Sequence, residues 1–99
     1  MARVASDVEL VFRVHAVRRM FERRIGLEDV RQVVHHGQPI EDYPDATPYP
    51  SRLMLGWCGS RPLHVVVADN PSAGETIIVT VYEPDPARWE DGFTRRKAT

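Results

Sequence analysis

This 99-residue chain has little of what stapled, secreted or membrane-spanning proteins rely on. It has a single cysteine, Cys58, which excludes an internal disulfide and fits a reducing cytoplasm. Its four histidines show no H-x-x-x-H spacing and there is no C-x-x-C, so no metal site and no cofactor is expected. No apolar run approaches the roughly 18 residues that would cross a membrane, and the first residues lack the charged-then-apolar pattern of a secretory signal. Lysine is almost absent, Lys97 being the only one. These absences leave one small cytoplasmic domain spanning 1–99, without a membrane partner.

What is present is unevenly charged. The net charge is −1. Residues 1–37 carry seven arginines against five acids, residues 38–91 three arginines against nine acids, and Arg95, Arg96 and Lys97 close the chain. A uniformly basic nucleic-acid binder is thereby excluded, while a local basic surface from the first helix and the tail is retained.

Hydrophobic periodicity orders the chain. Val8 to Val14 alternates as a first strand. From His15 to about Arg24 the period becomes helical, with Val17, Met20, Phe21 and Ile25 recurring and Gly26 as the expected stop. Leu27 to His36 reads as a second helix with Leu27, Val30, Val33 and Val34 as its stripe, closed by Gly37. Extended segments follow at Pro39–Tyr43, Arg52–Trp57, Arg61–Ala68 and Thr76–Glu83, with a proline-rich loop between the first two. Glu83-Pro84-Asp85-Pro86 breaks the sheet, Ala87-Arg88-Trp89 reads as one helical turn, and a frayed basic tail is expected from about 92. The expected fold is α+β: β-α-α-β-β-β-β, with two N-terminal helices on one face of a mainly antiparallel sheet.

The last hairpin holds the most informative residue. His64 interrupts an otherwise apolar arm, Leu63-His64-Val65-Val66-Val67. Pairing Ala68 with Thr76 sets His64 opposite Thr80 and makes Tyr82 a diagonal neighbour roughly 7–8 Å away. For the preceding arm, a tight Gly59-Ser60 turn would put Leu55 beside His64 and bury Arg52. A turn one residue longer or shorter buries Leu53, Leu55 and Trp57 beneath the helices and leaves Arg52 beside His64. Burying an unpaired arginine is costly, so the second register is expected. The sheet face away from the helices would then be open and carry Arg52, His64, Thr80 and Tyr82.

A cation, an imidazole and a phenol on one face suit metal-free cleavage of RNA. That reaction needs a base for the 2′-hydroxyl proton, an acid for the departing 5′-oxygen and a cation for the pentavalent phosphate. His15 and Arg19, one helical turn apart at a strand–helix junction, form a second cluster with Arg18. Adjacent His35 and His36 do not face one another on a helix and are not a metal pair. Trp57 and Trp89 read as core or interface anchors.

A resemblance adds to these residues. His15-Ala16-Val17-Arg18-Arg19-Met20, Arg24-Ile25-Gly26, Tyr43-Pro44, Pro50-Ser51, Arg61-Pro62-Leu63-His64-Val65-Val66 and Thr80-Val81-Tyr82-Glu83-Pro84-Asp85-Pro86 with Trp89 stand in the order of a small prokaryotic family of domains of unknown function. That family looks like a relative of the RelE/MqsR-type toxins, and its own members often stand alongside a zinc-finger antitoxin of the MqsA kind. The resemblance covers roughly His15 to Lys97. It implies a compact α+β fold, a metal-independent ribonuclease acting on messenger RNA, and a silencing partner protein. By position, His15, Arg19, His64 and Tyr82 match the family's recurring polar residues. The chain departs from the typical toxin in being mildly acidic, which favours ribosome-dependent or weak activity.

The leading expectation is therefore a toxin-like endoribonuclease with His15, Arg19, His64 and Tyr82 catalytic. His15 and His64 would act as base and acid in either order, Arg19 and Arg52 would hold the phosphate, Tyr82 would position the nucleotide, and Arg18 would help bind substrate. Its expected partners are RNA, free or on the ribosome, an antitoxin and a second copy of the chain. The competing reading is a non-catalytic interaction module using the same open face. A third is that the polar face only satisfies local hydrogen bonds.

Overall fold

Runs of β-branched residues dominate the second half of the chain, and they form the centre of a five-stranded sheet. The computed structural model describes residues 9–98. Its elements are β1 (Glu9–Phe12), α1 (Val14–Arg23), α2 (Leu27–His36), β2 (Gln38–Tyr43), β3 (Ser51–Cys58), β4 (Arg61–Asn70) and β5 (Glu75–Tyr82). The sheet order is β1-β5-β4-β3-β2. β1 runs parallel to β5; the β5–β4, β4–β3 and β3–β2 pairs are antiparallel. The α+β architecture expected from the pattern is the one observed. Val8, assigned above to the first strand, lies outside the described residues.

Both helices pack on one sheet face, where Ala16, Ile25, Val30 and Val33 meet Met54, Leu63, Val65, Val67, Ile78 and Val81. α1 ends at Arg23, and its stop falls at Arg24, two residues before the glycine expected from sequence. Arg24 takes the left-handed conformation (φ 55°), and its backbone N–H and that of Ile25 bond back to carbonyls of the last turn. Gly26 instead opens α2, its N–H donating to the Asp29 carboxylate at 3.0 Å. Of the four residues assigned to the inner stripe of α1, Met20 and Ile25 pack inward, whereas Val17 and Phe21 are exposed.

The β3 register is the one rejected above. Cys58 pairs with Arg61 across a two-residue Gly59-Ser60 turn, with φ +67° at Gly59, where glycine at the first turn position suits a right-twisted hairpin. Leu55 therefore pairs with His64, and Met54, not Leu55, packs under the helices. The expected objection disappears because Arg52 lies near the strand's start, remains partly exposed and forms an ion pair with Asp69. A cation so placed keeps its solvent and gains a partner, so this register carries no burial penalty. The same turn lets α2 lie close to β3: a Cβ at Gly56 would stand 2.6 Å from Val33 Cγ2.

β5 also departs from the simple hairpin. A bulge lies between Val66 and Val67, whose partners are Thr80 and Ile78. Ala68 pairs with Ile77, not with Thr76, one residue off the expected register at the turn, and the extra residue Val79 adds a second, so that His64 pairs directly with Tyr82 and not with Thr80. The bulge keeps Val65 and Val67 on the helix side together with Val81 and Ile78.

Candidate functional site

The face away from the helices is not open. Leu53, Leu55, His64, Ala68 and Ile77 are all buried, as is Trp89 from the C-terminal segment. Residues 84–98 fold back across this face. Trp89 bridges to Arg96, Glu90 N–H bonds the Arg95 carbonyl at 2.9 Å, and Lys97 N–H bonds the Arg88 carbonyl at 2.9 Å. Phe93, at φ 61°, packs its ring against Trp57 with centroids 5.9 Å apart. The tail expected to fray from about 92 is thus held by main-chain bonds and aromatic contacts.

His64 lies beneath that segment with no solvent exposure. Its Nε2 stands 2.9 Å from the Phe93 carbonyl oxygen. A carbonyl only accepts, so Nε2 carries the proton and Nδ1 presents its lone pair. The Tyr82 hydroxyl, 3.2 Å from Nδ1, is then the donor. The imidazole is edge-on to the Trp89 indole at 4.4 Å and to the Tyr82 ring at 5.2 Å between centroids. Burial depresses the His64 pKa below its ordinary 6.5; the Phe93 carbonyl and Glu41 pull it upward and Arg96 pushes it further down. Burial also raises the Tyr82 pKa. Both groups are held neutral.

A second polar cluster holds the segment down. Arg96 grips Glu41 through Nε at 3.0 Å and a terminal nitrogen at 3.2 Å, and its guanidinium lies 4.6 Å above the Trp89 ring. Tyr43 donates to the same carboxylate at 2.6 Å. The Arg96 bond keeps the Glu41 pKa low, against the opposing effect of burial. Tyr43 is pushed up to about 12 by burial and by its bond to Glu41. Glu41 and Arg96 thus act as a clamp between β2 and the C-terminal segment.

Of the residues singled out from sequence, only His64 and Tyr82 come together. His15, Arg18 and Arg19 are exposed on α1, on the helix side of the sheet, and Arg19 approaches Glu22 at 3.9 Å. Arg52 points to the helix side and is bound to Asp69. Sequence reasoning missed Trp89, Phe93, Arg96 and Glu41 as neighbours of His64. The one available signal was Trp89, a large aromatic set in a charged stretch. Beside Tyr82 there is a surface cleft of about 270 Å³, lined also by Glu83, Asp85, Arg88, Trp89 and Arg96. Among the described residues no group of three His, Cys, Asp or Glu side chains is placed to hold a metal ion, and no helix is long and apolar enough to cross a membrane.

No curated protein and no solved structure matches the chain. A family model does match, over residues 12–83, which takes in both helices and strands β2 to β5 with only the last residue of β1, and stops short of the segment that covers His64. On that match, which spans more than half of its length, the chain belongs to the family described as the domain of unknown function DUF4258.

Proposed function

We propose that this chain acts by binding a macromolecular partner and not by turning over a substrate at His64. One observation carries this reading: the imidazole has no solvent exposure, and both of its nitrogens are engaged within the protein. An acid or base for RNA cleavage must reach the 2′-hydroxyl or the 5′-oxygen within hydrogen-bond distance. His64 has neither a free nitrogen nor a path to solvent. His15 and Arg19 face solvent from the other side of the sheet, so they do not complete a site with it. The role that best fits His64 and Tyr82 is to pin residues 84–98 to the sheet.

A toxin-like endoribonuclease is the second reading, and a different observation favours it. The Tyr82 cleft also presents Arg88 and Arg96, which are groups suited to phosphate contact. The RelE/MqsR resemblance supports the same reading. The two separate when the purified full chain is incubated with single-stranded RNA, with and without ribosomes, beside Arg88→Ala and Tyr82→Phe variants. The binding reading expects intact RNA throughout. Cleavage by the parent chain that both variants lose would overturn it in favour of the ribonuclease.

A further inference from the structure

α1 displays an apolar stripe where a solvated helix would be polar. Phe21 is 87% exposed, Val14 74% and Val17 51%. They stand at i, i+3 and i+7, so they form one row along the outer helix face. Phe21 also borders a shallow pocket of about 690 Å³ lined by Met20, Glu22, Arg24, Ile25 and Gly26. A contiguous apolar patch of this kind on a small domain marks an interaction surface.

The charge around the stripe is predominantly positive. Residues 13–24 hold five arginines against the single acid Glu22. That is +4 in a chain whose total is −1, so the remainder carries −5. Arg18 lies four residues after Val14 and three before Phe21, so it borders the row, while Arg13 and Arg24 stand at the two caps of α1. Among the described residues, Arg18 and Arg24 form no ion pair.

We propose that the outer face of α1 is the docking surface for an acidic, amphipathic helical segment of another protein, its apolar face on Val14, Val17 and Phe21 and its carboxylates against Arg13, Arg18 and Arg24. The i, i+3, i+7 row is the anchor pattern of helix recognition, and the surrounding cations select an acidic partner and speed its approach. A second copy is disfavoured because packing α1 on α1 would oppose two like-charged faces. RNA would satisfy the arginines and find one ring, Phe21, to stack on, but Val14 and Val17 offer no further π-face, so the row as a whole fits an apolar helix face better. This inference rests on the binding reading above and names its surface and partner class.

Selection of a random displayed-peptide library against the full chain tests it. The expected winners are acidic and amphipathic, and their synthetic versions bind the chain with affinity that falls as salt rises. Val17→Ser and Phe21→Ser are each expected to weaken binding by about tenfold or more. Arg18→Glu should weaken it and flatten the salt dependence. Both apolar positions are exposed, and circular dichroism checks that the variants stay folded. No enriched peptide, peptides without acidic bias, or binding unchanged in the α1 variants would overturn the proposal. So would Phe21-dependent binding of a single-stranded RNA oligomer without peptide enrichment, or Phe21-dependent self-association. Failure here with RNA left intact removes this surface and leaves the binding reading standing. RNA cleavage lost in Arg88→Ala removes that reading instead.

Discussion

The imidazole of His64 meets the indole of Trp89 edge-on, with ring centroids 4.4 Å apart. This contact, made by a segment beyond the last strand, turns an ionisable strand residue into part of a second core. The sheet is therefore covered on both faces: by α1 and α2 on one and by residues 84–98 on the other.

Trp89→Ala is expected to destabilise the chain by about 3–5 kcal/mol, the usual cost of emptying a buried tryptophan site. Urea unfolding followed by circular dichroism measures it. A change below about 1 kcal/mol would show that the segment contributes little to the fold.

Tyr82→Phe removes the hydroxyl that donates to Nδ1 and leaves a buried acceptor without a partner. The expected loss is about 1–2 kcal/mol, read from the same unfolding curves. A urea midpoint equal to the parent's would indicate that Nδ1 finds another donor.

Gly56→Ala introduces a Cβ that would stand 2.6 Å from Val33 Cγ2 and 3.1 Å from Val33 Cα. The backbone of α2 must move away from β3 to accept it. Overpacking of this kind costs about 1–3 kcal/mol. Combining it with Val33→Ala should recover less than the side-chain clash alone would suggest, because the helix backbone at residue 33 still crowds the new methyl group; a double-mutant cycle checks this.

Stability should also depend on pH through His64. Its folded pKa lies below the ordinary 6.5 because burial disfavours the cation. The unfolded chain then binds a proton near pH 6.5 that the folded chain refuses. The stabilisation is complete above pH 6.5, declines as pH falls below it, and levels off once the folded pKa is passed. The loss linked to Glu41 begins only below its ordinary 4.5, so the two are separable. Unfolding midpoints between pH 5 and pH 8 are expected to slope in the parent and to flatten in His64→Gln.

The order of elements was legible because local signals set it: a change of period at His15, acids at the start of α2, and connections too short for parallel crossovers among the last four strands. Pairing register was not. The choice for β3 turned on Arg52, whose partner Asp69 lies on the neighbouring strand and whose place near the strand's start keeps it wet. Nothing in Val66-Val67 or Val79 marks the bulge that aligns His64 with Tyr82. Ala16, small enough to let α1 approach the sheet, occupies the core in place of the larger Val17 and Phe21. The closing segment reads as a tail because Pro84 and Pro86 interrupt periodicity and its charges are solvating. What fixes it are long-range contacts: Arg96 to Glu41, Phe93 to Trp57, and the Phe93 carbonyl to His64.

The most direct test of the central claim, that His64 is a sealed structural residue, is a nitrogen-detected NMR titration of the histidine rings in the full chain, with His64→Gln to assign the signal. A neutral ring protonated at Nε2, with slow exchange of that proton and a midpoint below 6.5, is the expected result. A ring that titrates at or above 6.5, or that carries its neutral-state proton on Nδ1, would contradict it.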